Sequence, residues 1–334
     1  MVQLDSISKP EAVKQQSRQL RGHIARDLAD RDAPFDKEGY SLLKFHGIYQ
    51  GYDRDSATER KQRGDQKAWQ FMVRVRIPGG RLTAAQYLTL DALAGTHANG
   101  SLRVTTRSSI QFHGVVKPGL KAMIAEIDRT LLTTLSACGD VVRTVTTSPA
   151  PIHNDVYLRL EADARLLSRE MLPTTGAYHE IWVDGEQWQA TEAEPPDPLY
   201  GDRYLPRKFK FGVAVPEDNT IDVLTNDVAV VALWENGALA GYNFLLGGSH
   251  GMTHNNPATY PRLATPVAFV EPDDLVAAAK AAVGLHRDYG DRGNRRHARL
   301  KYVIAERGEE WARAEMSRVL GKELAPCRAM PEFA

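Results

Sequence analysis

The octapeptide QFMVRVRI, residues 70–77, constrains the fold more tightly than any other stretch of the chain. Phe71, Val73, Val75 and Ile77 alternate with Met72, Arg74 and Arg76. A period of two is that of a β-strand with one face on a core and the other turned away from it. Pro78-Gly79-Gly80 then ends the strand as a turn. Thr83 and Gln86 stand at capping-box spacing and predict a helix running to Gly95. Residues 101–116 predict two strands with a Thr-Arg-Ser-Ser break. Arg103, Thr105 and Arg107 share a face of the first, and Gln111 and His113 share a face of the second. A helix over 118–135 follows. Strand, helix, two strands, helix is half of a ferredoxin-like α+β unit.

The rest of the pattern predicts a second α+β domain. A strand over 139–151 leads to a proline-rich boundary. Further strands are expected near 179–184, 207–216, 219–224, 228–235 and 240–247, with helices near 273–286 and 307–320. Residues 1–40 are polar and charged, with helical stretches but few core residues, and 41–66 read mostly as loop. The expected division is an N-terminal arm (1–66), a ferredoxin-like half domain (67–137), an α+β domain (138–325) and a tail (326–334). Residues 247–262, GGSHGMTHNNPATYPR, form a loop long enough to suggest a functional role.

Charge is placed unusually on these strands. Arg74 and Arg76, Arg103 and Arg107, Arg143, then Lys208 and Lys210 all fall inside or beside predicted strands. One reading is a solvated outer sheet face. Such faces normally mix signs, and these segments carry no acidic residue on the cationic face. Successive one-sign faces point instead to a shared polyanionic ligand. Guanidinium forks suit carboxylates, and ammonium groups are compact charges that can also donate protons.

Lys+Arg and Asp+Glu each number 42, so no global field draws the chain to nucleic acid or an anionic membrane. There is no apolar run of membrane-spanning length. The two cysteines, Cys138 and Cys327, form no disulfide framework and no self-contained cysteine-ligated zinc or iron–sulfur site. They suit a reducing cytoplasm. His250 and His254 have a spacing that zinc uses on a helix, but their glycine- and asparagine-rich surroundings favour a loop. Cys138, with no histidine nearby in sequence, reads as a buried thiol rather than a nucleophile. PGG and GGSHG match no phosphate-loop fingerprint.

Six segments in order, LLKFHGIYQGYDRD, FMVRVRIPGG, LRVTTRSSIQFHG, CGDVVRTV, YLPRKFK and NFLLGGSHGMTH, closely resemble the sirohaem-dependent sulfite/nitrite reductases. The nearest likeness is to the first half of an assimilatory sulfite reductase haemoprotein (β) subunit, from about residue 8 to the end. The resemblance implies a six-electron reduction of sulfite to sulfide, or of nitrite to ammonia, at sirohaem. It implies that Arg74, Arg143, Lys208 and Lys210 surround the anion. It also implies that Arg103, Thr105, Arg107, Gln111, His113 and Arg207 contact sirohaem, whose eight carboxylates account for the cations. The tract DRGNRRHARLK (291–301) lies in a region that approaches the cofactor, against the alternative of a solvated basic helix. A flavoprotein reductase subunit or ferredoxin is the implied electron donor.

The chain departs from the family pattern at three places. Gly51 and Tyr52 replace a glutamine and an acidic residue, and Thr144 stands where asparagine is common. The four cysteines that hold a [4Fe–4S] cluster in the family's second half have no counterpart here. The expectation is therefore a sirohaem-binding half that is incomplete without a C-terminal half and inactive alone. Its exposed apolar surface would then make it aggregate or dimerise. Nitrite reduction, and a non-catalytic sirohaem-binding or assembly role, are the alternatives.

Overall fold

A computed structural model of the chain describes residues 7–185 and 194–333. Residues 1–6, 186–193 and 334, parts of the expected arm, second domain and tail, lie outside the described residues. The chain is an α+β protein. Helices α1 (Lys9–Gln15), α2 (Ile24–Ala29) and α3 (Lys37–Leu43) lead into β1 (Ile48–Tyr52), α4 (Ala57–Arg63), β2 (Trp69–Val75) and α5 (Ala84–His97). Then come β3 (Leu102–Val104), β4 (Ile110–Val115), α6 (Leu120–Arg129) and α7 (Asp155–Glu170). The remaining elements are β5 (Phe211–Ala214), β6 (Val228–Glu235), β7 (Ala238–Leu246), β8 (Thr265–Val270), α8 (Leu275–Tyr289), α9 (Leu300–Arg307) and α10 (Glu309–Leu320).

The first sheet is antiparallel, in the order β1-β2-β4-β3. Alternation along β2 buries Phe71, Val73 and Val75, which share one core with Phe112 of β4 and with Leu90, Met123, Ile124 and Ile127 of α5 and α6. Each such large side chain contributes about 1.5–3 kcal/mol by leaving water. Thr83 and Gln86 cap α5 reciprocally: the Gln86 N–H donates to Thr83 Oγ1 at 3.1 Å, and the Thr83 N–H to Gln86 Oε1 at 3.0 Å. On the other face, register sets Arg74 and Arg103 each across from Gln111.

The second sheet is mixed, in the order β5-β6-β7-β8, with only the β5–β6 pair parallel. In β6, Val228, Val230 and Ala232 enter the main core, while Ala229, Val231 and Leu233 enter a smaller one with Val223, Ala264 and Phe269. Burial on both faces explains why this strand is continuously apolar. Between the sheets, residues 140–146 run beside 205–213, joined by Leu205 N–H to Asp140 O (3.0 Å), Arg143 N–H to Phe209 O (2.8 Å) and Val213 N–H to Thr146 O (2.9 Å).

Several expectations are corrected. Arg76 does not share the open face with Arg74. It is buried, donating to Ser168 Oγ (2.9 Å), Ser168 O (2.9 Å), Ser136 O (3.1 Å) and Val142 O (3.0 Å). The strand ends at Val75, so the alternation stops one residue before it. Residues His179–Val183 form a π-turn rather than a strand. The expected strand at 219–224 is a turn with a 3-10 segment at Val223–Thr225, because Asp218 and Asn219 side chains cap local N–H groups there. Residues 139–151 pair only through isolated bridges, and regular pairing in 207–216 is confined to Phe211–Ala214. Residues 41–66 hold β1 and α4, and the arm supplies Leu20, Ile24 and Phe35 to the core. Helices α7 and α9 and strand β8 were not anticipated.

Candidate anion and cofactor site

Strand register builds the first wall of the site. Arg74 projects from β2 and donates Nη1 to the buried Cys138 Sγ at 2.8 Å. With the Gln111 amide turned so that its oxygen faces Arg74, it accepts from Arg74 Nε at 3.0 Å and from Nη2. Its nitrogen then donates to His113 Nε2 at 3.1 Å, so that nitrogen carries no proton. Burial and the nearby Arg103 and Arg74 lower the His113 pKa, consistent with that neutral ring.

The crossing segment builds the second wall. Gly139 has φ of +90°, and a Cβ there would lie 2.9 Å from the Phe45 ring. Arg143 donates Nε to the Gly139 carbonyl at 2.8 Å. Lys208 and Lys210, two apart on the extended segment before β5, line the same cavity as Arg74, Arg107, Arg143 and Thr144, with a volume of about 190 Å³. Among the described residues, neither lysine ammonium has a hydrogen-bond or ion-pair partner. Burial lowers both to about 8, helped by Arg299, Arg143 and Arg207 at Lys208 and by Arg107 and Arg299 at Lys210.

The remaining expected residues separate into two roles. Arg103 and His113 border a larger hollow of about 830 Å³ with Tyr49, Trp69 and Met72. Arg207 is half-buried, and burial together with Arg295 lowers its pKa. Thr105 closes the β3–β4 turn: its Oγ1 accepts from the Ser109 N–H at 3.1 Å and the Arg107 N–H at 3.3 Å. Arg107 lines the cavity, but its guanidinium is held by Thr144 O (2.8 Å), Phe211 O (2.5 Å) and Asn226 Oδ1 (2.6 Å). Burial pushes it down to about 9.

The tract 291–301 is resolved residue by residue. Arg292 pairs with Glu11 of the arm. Arg295 grips Asp140 at 2.7 and 2.9 Å, and Arg299 grips Asp227 through three contacts of 2.8–3.0 Å. Lys301 is buried and donates to the Gly251 carbonyl at 2.6 Å and to the Tyr260 carbonyl, closing the long loop at both ends. The tract is therefore neither a solvated basic helix nor wholly free for a ligand.

Tyr49, Lys44, Asp140 and Asp227 also belong to this neighbourhood, and neither the strand periodicity nor the cationic pattern marks them. Burial raises the Tyr49 hydroxyl pKa, against the opposing pull of Arg143 and Arg74. Lys44 stands 4.0 Å over the Tyr40 ring, and burial together with Arg295 lowers its pKa. Only long-range pairing brings these residues together, and no local periodicity encodes that.

Among the described residues, no group of three or more His, Cys, Asp or Glu side chains could hold a metal ion, and His250 and His254 assemble no such group. Cys327 donates to the Ala268 carbonyl of the second sheet at 3.3 Å, whereas Cys138 accepts from Arg74 of the first sheet. No helix of the described residues is long and apolar enough to cross a membrane.

Residues 64–129 match the family described as nitrite/sulfite reductase ferredoxin-like half domain, and residues 162–324 match that described as nitrite and sulphite reductase 4Fe-4S domain. A protein named sulfite reductase [NADPH] hemoprotein beta-component from Myxococcus xanthus is 46% identical over 96% of this chain and 57% of its own length. Its namesake from Staphylococcus saprophyticus is 43% identical over 96% of this chain and 56% of its own length. The chain thus spans about half the length of the curated relatives it matches. The Mycobacterium tuberculosis NirA structure superimposes with a TM-score of 0.73 at 24% identity, over 98% of this chain and 55% of that one, which is a likeness of fold.

Proposed function

As this chain belongs to the nitrite and sulphite reductase family, we propose that it forms the sirohaem- and anion-binding half of a sulfite reductase. The observation that carries this reading is the cavity shared by Arg74, Arg143, Lys208 and Lys210, whose two ammonium groups are unpartnered among the described residues. Partly buried ammonium groups with no direct ion-pair partner carry a desolvation cost. A bound oxyanion would remove that cost.

The donor set also suits a polycarboxylate tetrapyrrole. Arg103 borders the larger hollow and Arg207 directly precedes Lys208 of the anion cavity, and neither has an ion-pair partner among the described residues. These two residues, with Gln111 and His113, would hold sirohaem; Thr105 and Arg107 would support it through the turn they brace. When bound, sirohaem would supply the iron centre at which the anion is reduced. The chain's own residues would do the rest. Arg74 and Arg143 would orient the anion through guanidinium forks. Lys208 and Lys210, lowered to about 8, would be largely protonated at neutral pH yet able to release protons as oxygen leaves. A [4Fe–4S] cluster does not fit these residues, since two cysteines cannot supply four thiolates. Its ligands, and the electron donor, would come from elsewhere, with a flavoprotein partner the simplest choice given the relatives' names.

Sulfite is favoured over nitrite because the relatives at 43–46% identity carry the name sulfite reductase. The test is to produce the chain in a host that makes sirohaem, and to record the visible spectrum before and after adding sulfite or nitrite. Bound chromophore whose bands move more with sulfite is the expected outcome. A colourless chain, or a response to nitrite alone, would overturn the reading.

A further inference from the structure

Asp227, fully buried just before β6, has an elaborate environment. Its Oδ1 accepts from Arg299 Nε at 3.0 Å and Nη2 at 2.9 Å. Its Oδ2 accepts from Arg299 Nη2 at 2.8 Å and from the Lys210 backbone N–H at 2.8 Å. The Asp227 carbonyl accepts from the Gly247 N–H at 2.8 Å, and the adjacent Asn226 carbonyl from the Gly248 N–H at 3.0 Å. Asn226 Oδ1 accepts from Arg107 Nη1 at 2.6 Å. One dipeptide thus ties together the lysine segment, the residues before α9, the β3–β4 turn and the glycine pair after β7. Starting a sheet strand needs none of these bonds, and a buried carboxylate is costly unless fully paired.

We propose that Asp227 is a positioning residue of the anion site, holding Arg299 and the Lys210 main chain in place and balancing the cations gathered there. The proposal rests on reading the cavity as an oxyanion site. Arg143 and Arg207 face Lys208 from the crossing segment and the lysine segment, Arg107 faces Lys210 from the β3–β4 turn, and Arg299 faces both. Asp227 opposes them all and favours the protonated form of each lysine. His286 on α8 and Lys301 on α9 also feel this carboxylate, but burial keeps His286 down at about 4 and therefore neutral.

The test uses the full chain, with inorganic sulfate as a probe whose charge does not change near neutrality. Lysine titration is followed by NMR of isotopically methylated lysines. In Asp227→Asn the Lys208 and Lys210 midpoints should fall by about one pH unit, and sulfate affinity at pH 8 should drop roughly tenfold. A folded Asp227→Asn chain with unchanged midpoints and affinity overturns the proposal. The double variant Asp227→Asn with Arg299→Met removes one charge of each sign, so it avoids stranding a buried cation. Its midpoints should return towards those of the parent, while affinity stays low because the anchor is gone. Parental affinity in the double variant overturns the proposal even if the single variant fails to fold. Midpoints that fall in Asp227→Asn while the parent chain itself binds no sulfate would uphold the positioning role and remove the oxyanion reading instead.

Discussion

At the residue scale, Lys208 and Lys210 link sequence, electrostatics and chemistry. Both folded-state values lie at about 8, below the ordinary lysine value, chiefly because burial disfavours the charged form. Between that value and the unfolded one, the unfolded chain binds more protons, so stability rises with pH across this window. Below about pH 8 the destabilisation is fully present. Comparing chemical denaturation of the parent and a Lys208→Met/Lys210→Met variant from pH 7 to 10 should show a steeper rise for the parent. Identical slopes would mean the lysines are not perturbed. Anion binding should run the other way, weakening as pH rises through 8 and the ammonium groups are lost. The pairing of these lysines in one cavity was legible as residues two apart on an extended segment. The fate of Arg76, equally cationic and on the same parity as Arg74, was not. The strand ends before it, and its donors turn inward to Ser168 and the carbonyls of Ser136 and Val142.

At the element scale, the buried Arg76 and the half-buried Arg107 fasten the first sheet and its turn to the segment that carries Arg143. Arg76 holds Ser136 and Val142, and Arg107 holds Thr144 and Phe211. Arg76→Met would strand several buried acceptors and should lower unfolding stability by about 3 kcal/mol in urea titration. A loss below about 0.5 kcal/mol would show the contacts to be dispensable. Thr83→Ala should cost about 1 kcal/mol by removing the α5 cap, with no effect on anion binding. Elements with strong local signals were legible. The period of two in β2, the capping box of α5 and the apolar run of β6 each declare themselves within a few residues. Helix α7 was missed although Asn154 accepts from the Tyr157 N–H at 3.0 Å as an N-cap. Its charged run of Arg, Glu and Asp hides the buried stripe of Leu160, Ala164 and Leu167. The π-turn at His179–Val183 carries β-favouring residues, but tertiary packing of Trp182, whose Nε1 donates to His46 at 3.1 Å, sets its shape.

At the scale of the whole molecule, two sheets and the segment between them bring cations from distant parts of the sequence to one cavity. Arg74 comes from the first sheet, Arg143 from the crossing segment, and Lys208 and Lys210 from the approach to the second sheet. Asp140 and Asp227 anchor the neighbouring arginines and leave the lysines free. The cations were visible in the sequence as one-sign strand faces. The organising role of the acids was not legible, because each is an isolated residue that meets its partner only after folding. The most direct measurement is a crystal structure of the chain with sulfite at pH 7. The expected result is one anion within hydrogen-bond distance of the Lys208 and Lys210 Nζ atoms and of an Arg143 Nη atom. An anion bound elsewhere, or none at saturating concentration with those three groups ordered and unpartnered, would contradict it.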